Sequence, residues 1–311
     1  MVTARVLTRS EAATAPRHQE GALDLARRLP SLVASAKELA ASVMHGVHGR
    51  RRAGTGENFW QFRPFTFGES AQRIDWRRSA RDDRLYVRER EWEAAHTIFL
   101  WMDLSPSMAF LSSLARQSKA DRALVLGLAT ADLLVRGGER VGLLGMTRPI
   151  AARNIVERLA EALVIAERQM PAAGHADFPS DEPLPQRTQV ILISDFLVAP
   201  DELAARLRRI ASNGARGHLV MIADPVEETF PFEGHTEFLD VDSGALFRAG
   251  RAEAYRADYV ARLAQHRERV RSAAREAGLS FALHRTDAPP ATALLALRGR
   301  LEANVEFGAV A

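Results

Sequence analysis

Residues Thr97 to Met108 read T-I-F-L-W-M-D-L-S-P-S-M, an apolar run cut off by an aspartate. Thr97 to Met102 has the length and composition of a strand buried on both faces, as in a parallel sheet covered by helices. The run stops at Asp103, which therefore emerges at the strand's C-terminal end, where open α/β sheets place their ligands. Ser105 and Ser107 follow at alternate positions. One carboxylate and two hydroxyls can then turn toward a common point, a hard oxygen set suited to Mg2+ or a similar divalent cation.

Outward from this stretch, Val141–Leu144, Val190–Ile193 and His218–Ile222 are three more short apolar runs, separated by segments that can be helical. That alternation is the pattern of a parallel sheet with helices on its faces. Leu124, Leu128, Ala131 and Val135 share one helical face ending at Gly137-Gly138, and Pro200-Asp201-Glu202 opens a helix closed by Asn213-Gly214. A long helix is expected over about residues 251–277, ended by Gly278, then a last strand from Leu279 to His284. Pro225 to Arg248 is less periodic and reads as an irregular excursion or a hairpin. Upstream, residues 1–20 are polar. Leu29, Leu32, Val33, Ala36, Ala40 and Val43 then recur at helical spacing, which places a helix at 30–45 with Pro30 at its start. Glycines 46, 49, 54 and 56 among Arg50, Arg51 and Arg52 read as a basic connector. Three parts follow: residues 1–45, an N-terminus and amphipathic helix; 46–95, an arginine- and aromatic-rich block packed on the sheet; and 96–305, the α/β domain.

Asp195 closes the run Val190 to Ser194 as Asp103 closes its own. If the two strands are neighbours, their carboxylates face each other, and like charges that close need a cation or raised pKa values. The alternative is that an aspartate at such a strand end only caps the next turn or helix.

Composition narrows the classes. The 311 residues, 47% of them hydrophobic, suffice for one large domain or two small ones. The absence of cysteine excludes disulfides, thiolate zinc sites and a cysteine nucleophile, and fits a reducing, cytoplasmic setting. No segment approaches the roughly 20 apolar residues of a membrane span, and Met1 to Glu20 lacks the apolar centre of a secretory signal. Lys37 and Lys119 are the only lysines, and the net charge of +3 rests on arginine. Such a small excess is not a nucleic-acid signature.

At this point the residues carry a resemblance. Asp103-x-Ser105-x-Ser107 after a buried strand resembles the metal-ion-dependent adhesion site of von Willebrand factor A domains, with Asp195 in the place of a later acidic residue. The segment Phe62 to Arg81, F-R-P-F-T-F-G-E-S-A-Q-R-I-D-W-R-R-S-A-R, with Leu85–Val87 and Glu89–Glu93, resembles the signature of the bacterial domain-of-unknown-function family fifty-eight, whose members join this block to an A-type domain. The resemblance implies a Rossmann-like, doubly wound, mostly parallel sheet and binding rather than turnover. It also implies a protein partner, a MoxR-type AAA+ ATPase, in chaperone-like complex maturation. The implied Mg2+ ligands are Asp103, Ser105, Ser107 and Asp195. The adhesion-site threonine is replaced: its loop reads Gly174-His175-Ala176-Asp177-Phe178, so the site is degenerate and its divalent ion weakly held or absent, with Asp177 or Thr147 as substitute donors.

The arginine-rich block mixes Arg63, Arg73, Arg77, Arg78, Arg81, Arg84, Arg88 and Arg90 with Phe59, Trp60, Phe62, Phe65, Phe67, Trp76 and Tyr86. Cations and stacking platforms of this kind could bind nucleic acid. Interleaved acids, Glu69, Asp75, Asp82, Asp83, Glu89, Glu91 and Glu93, cancel most of that field, which favours internal ion pairs and a docking surface at Arg73, Asp75, Trp76 and Arg77. Enzyme readings fare worse. A phosphoaspartate hydrolase wants a second aspartate where Ser105 stands and a later lysine than Lys119, which falls within an expected helix. No G-x-S-x-G elbow or H-E-x-x-H occurs, and His175, His218 and His284 read as surface or strand-end residues. The expectation is a non-enzymatic interaction module. Nucleic-acid binding is the alternative, and a Mg2+-dependent phosphohydrolase the more distant one.

Overall fold

The computed structural model describes residues 18–47, 59–81, 84–90, 95–169, 178–179, 183–186, 188–212, 214–239 and 245–308. Along the chain, helix α1 (His18–Val47) is followed by strand β1 (Phe59–Pro64), the one-turn helix α2 (Trp76–Ser79) and β2 (Tyr86–Arg90). Next come β3 (Thr97–Met102), α3 (Lys119–Arg136), β4 (Arg140–Leu143), α4 (Ile155–Arg168), β5 (Thr188–Ser194), α5 (Pro200–Ser212) and β6 (Arg216–Ala223). The chain continues with α6 (Pro225–Thr229), β7 (Thr236–Leu239), β8 (Leu246–Ala249), α7 (Arg256–Glu276), β9 (Ser280–Arg285) and α8 (Pro290–Gly308). Helix α1 groups with everything from β3 onward, and β1, α2 and β2 form a second compact unit.

In the larger unit five strands make one parallel sheet in the order β4-β3-β5-β6-β9. The chain enters the sheet at β3, moves to β4 on one side, and returns to β5 on the other. The topological switch therefore lies between β3 and β5, where a doubly wound sheet opens its crevice. Helices cover both faces, which is why the strand sequences are apolar without alternation. Every residue of β5 is buried. Ile191 and Ile193 face a core shared with Leu124 and Leu128 of α3, Leu159 of α4 and Leu294 of α8, whereas Val190 and Leu192 face Leu203 and Leu207 of α5 and Val270 of α7.

Helix ends follow the punctuation of the sequence. Gly138, Gly214 and Gly278 each adopt a positive φ just past a helix, at +93°, +73° and +70°, a conformation that side chains with a Cβ resist. Pro225 to Arg248 resolves into α6 and the β7–β8 hairpin, stapled by Phe230, Phe232, Phe238 and Tyr259. Helix α8 lies beyond the elements expected from the pattern.

Helix α1 corrects the expected start. It begins at His18, with Pro30 inside it. Leu25 extends the apolar stripe one turn further back from Leu29 into the same core as Leu32, Ala36, Leu39, Ala40 and Val43. That burial outweighs the hydrogen bond a mid-helix proline removes. Ion pairs Arg28–Asp121 and Lys37–Glu157 tie the helix to α3 and α4.

The smaller unit is an antiparallel β1–β2 hairpin carrying α2. Asp75 is the N-cap of α2 and accepts the Arg78 backbone N–H at 2.9 Å. Arg63 grips Glu69 with its two terminal guanidinium nitrogens, at 3.1 and 2.5 Å, and the Arg78 guanidinium lies 4.5 Å from the centre of the Tyr86 ring. Charge and aromatic surface in this unit are thus partly satisfied within it.

Candidate functional site

Register brings the two carboxylates of the strand tips together. Met102 pairs with Ile193, and the Asp103 N–H donates to the Ile193 carbonyl at 2.9 Å, so Asp103 and Asp195 leave adjacent strand ends at the switch point. Both residues are only 3% exposed. Asp103 Oδ1 accepts the Ser105 N–H at 2.8 Å, and Oδ2 accepts the Ser194 hydroxyl at 2.6 Å. Ser107 Oγ donates to Asp195 Oδ2 at 3.0 Å and lies 3.2 Å from Ser105 Oγ. Asp195 Oδ1 accepts the Leu197 N–H at 3.1 Å. Between them Phe196 is held at a φ of +49°, its N–H on Ser194 Oγ at 2.9 Å and its carbonyl 2.8 Å from His266 Nε2. A phenylalanine at that φ is strained and persists because its surroundings over-determine it.

The group that completes the crevice is a lysine. Lys119 is the first residue of α3, capped by Ser118, and its backbone N–H donates to the Phe110 carbonyl at 3.2 Å, which draws the helix start over the end of β3. Its side chain is 1% exposed; Nζ donates to Asp195 Oδ2 at 2.8 Å and to Glu227 Oε1 at 2.5 Å. Glu227 is held by a capping box. Asp224, at the end of β6, accepts the Val226 N–H at 2.9 Å, and its own N–H donates to Glu227 Oε2 at 2.8 Å. Asp224 Oδ2 also accepts the Ser112 N–H from the loop after β3, at 3.1 Å. Three neighbouring strands, β3, β5 and β6, therefore each end in a buried aspartate.

Electrostatics follow from that packing. Burial raises the Asp103 carboxyl pKa, against the lowering effect of its hydrogen bonds from Ser194 and Ser105, and the nearby Asp195 charge pushes the same way as burial. Burial alone would lower the Lys119 pKa; the charges of Asp195 and Glu227, with the hydrogen bonds to both, outweigh it and hold the ammonium above its ordinary value.

Asp103, Ser105, Ser107 and Asp195 are thus brought together as their sequence positions imply. Thr147 is not among them: its hydroxyl accepts the Leu143 N–H at 2.8 Å inside the turn after β4. Asp177, with Gly174, His175 and Ala176, lies outside the described residues. In the smaller unit Asp75 is a helix cap, Trp76 and Arg77 are exposed, and the Arg73 side chain lies outside the described residues. His218 and His284 are buried rather than on the surface, against Ser280 Oγ at 2.7 Å and Arg122 Nη1 at 3.0 Å. Lys119, Glu227, Ser194 and Asp224 are the members that the sequence reading missed. The signal for two of them was present in A-D-P-V-E, an aspartate after a strand, a proline at the next position and a glutamate three residues on. Lys119 carried none, because a lone lysine in a helix ordinarily reads as a solvated charge.

A divalent ion is the cofactor that the adhesion-site resemblance implies. The residues present do not fit one well, because an ammonium already bridges Asp195 and Glu227, and both oxygens of Asp103 accept hydrogen bonds. Among the described residues, no group of three or more histidine, cysteine, aspartate or glutamate side chains is placed to hold a metal ion.

Fold and crevice together define an α/β protein with a closed polar cluster at its switch point. Residues 61–269 match the family described as Protein of unknown function DUF58, and the chain belongs to that family. It is 28% identical over 277 residues to uncharacterized proteins of Mycobacterium bovis and Mycobacterium tuberculosis, covering 85% of this chain and 85% of each relative. Among solved structures it is similar to an aerotolerance-related membrane protein of Bacteroides fragilis, with a TM-score of 0.37, 18% identity and coverage of 68% of this chain and 100% of that one. A second similar structure is the conserved hypothetical protein BatB of Bacteroides thetaiotaomicron, with a TM-score of 0.39, 16% identity and the same two coverages, 68% and 100%. No described helix is long and apolar enough to cross a membrane.

Proposed function

We propose that this chain is a non-enzymatic protein-interaction module that docks a partner at the C-terminal edge of its central sheet, and that the partner is a MoxR-type AAA+ ATPase served in chaperone-like complex maturation. One observation carries the docking surface; the choice of partner rests on the family resemblance of Phe62 to Arg81. The loops leaving β3, β4 and β5 expose Phe110, Leu111, Leu114, Met146 and Leu197, each between 41% and 53% accessible, on the edge where the polar cluster is closed. Five large apolar side chains exposed along one edge suit a protein surface better than a small polar substrate. The charged groups beneath are committed to one another, and a hydrolase or nuclease would want them open to substrate.

The test is capture of the full chain by a MoxR-type ATPase, comparing the wild type with a Leu111→Ser/Leu197→Ser double variant. Both changes lie on the exposed edge, so folding should persist. Retention should drop about tenfold, as expected for loss of an apolar anchor. Equal retention by both proteins, or release of phosphate from generic phosphoesters by the purified chain, would refute the reading.

A further inference from the structure

We infer that the Lys119 ammonium is the resident cation of this crevice, a tethered substitute for a divalent metal ion, so that the adhesion-type cluster assembles and persists without metal. The argument begins with charge. Asp195 and Glu227 converge at the sheet edge beside Asp103, and carboxylates so placed need a cation or raised pKa values. Nζ supplies it from inside the cluster, 2.8 Å from Asp195 and 2.5 Å from Glu227. Ser107, which in an adhesion site would offer its oxygen to a metal, instead donates a hydrogen bond to the Asp195 oxygen that Lys119 also bonds. A Mg2+ ligated by that oxygen at its ordinary distance of about 2 Å would sit within a few ångströms of the ammonium, two like charges in a buried site.

Tethering changes what the crevice can do. The ammonium clamps three elements, the start of α3, the end of β5 and α6, and it cannot be removed by chelation or completed by a partner's carboxylate as an open metal position could. Partner contact is left to the exposed apolar edge, whose loops the cluster holds in place: Ser105 and Ser107 in the loop after β3, Ser112 further along it through Asp224, and Leu197 through Asp195. The inference concerns the crevice alone and stands whichever partner docks above it.

Isothermal titration with MgCl2 and MnCl2, beside thermal unfolding with millimolar metal or EDTA, tests it on the full wild-type chain and on Lys119→Ala and Lys119→Gln. Wild type should give no binding heat and the same midpoint in every condition. The variants should melt lower in EDTA and recover by ~2–4 °C in metal, as the vacated position accepts a divalent ion. Metal binding by wild type that disappears in Asp103→Ala overturns the proposal, as does a folded Lys119 variant that binds metal no better than wild type. Should the alanine variant fail to fold, the glutamine variant carries the second arm, and the wild-type titration is decisive without either.

Discussion

At the scale of single residues, Lys119 governs the crevice because removing it leaves Asp195 and Glu227 facing each other without compensation. Lys119→Met should therefore destabilise the chain by about 3–5 kcal/mol in metal-free buffer, measured from urea midpoints. His218 and His284 set a pH dependence of different origin. Burial, helped by Arg300 near His218 and by Arg122 near His284, pushes each imidazole down to about 4; Asp287 opposes the shift at His284 only in part. Between pH 4 and 6.5 the unfolded chain binds more protons than the folded one at these sites, so stability rises with pH across that window and is lost as the pH falls through it. Thermal midpoints should be flat with respect to these two groups above about pH 6.5 and should decline toward pH 4, and His284→Gln should flatten part of that decline. Asp103 was legible in the sequence because it interrupts an apolar run. Lys119 was not, since its partners lie far along the chain and only their convergence gives the charge a purpose.

Elements were legible wherever punctuation and periodicity agreed, as at the glycine-terminated ends of α3, α5 and α7. They were less so where packing overrode a local rule, as with Pro30 inside α1. Close approach of backbone segments is the feature least visible from sequence. Gly142 in β4 is the example: a Cβ there would lie 2.9 Å from the Thr147 carbonyl oxygen and 3.0 Å from the Pro149 nitrogen, because the turn after β4 folds back to bridge Val141 with Ile150. The obstructing atoms are backbone and cannot rotate away. Gly142→Ala should thus cost about 1–3 kcal/mol, seen as a lower urea midpoint with an unchanged slope, even though alanine is otherwise the better strand residue. A neutral result would mean that the turn after β4 shifts freely.

At the scale of the whole molecule, α1 belongs to the sheet unit, with Leu25, Leu29, Leu32 and Leu39 buried in the core of α3, α4 and α8. Leu32→Asp, placing a carboxylate where a leucine is 5% exposed, should lower the main unfolding transition by about 3 kcal/mol or more instead of merely fraying one helix. Circular dichroism at 222 nm should lose the helical signal of the sheet unit in one earlier transition; a separate early loss of only a fraction of that signal would show that α1 is a dispensable appendage. The sequence by itself determined the α/β class, the strand-end positions of Asp103 and Asp195 and the approach of Ser105 and Ser107, because apolar runs, their interruptions and their spacing are local properties. Only the tertiary structure decided that β3 and β5 are neighbours at the switch point and that a lysine and a glutamate from other elements meet between their ends. Strand order and helix placement arise from burying all the apolar faces at once, and no single segment encodes that solution.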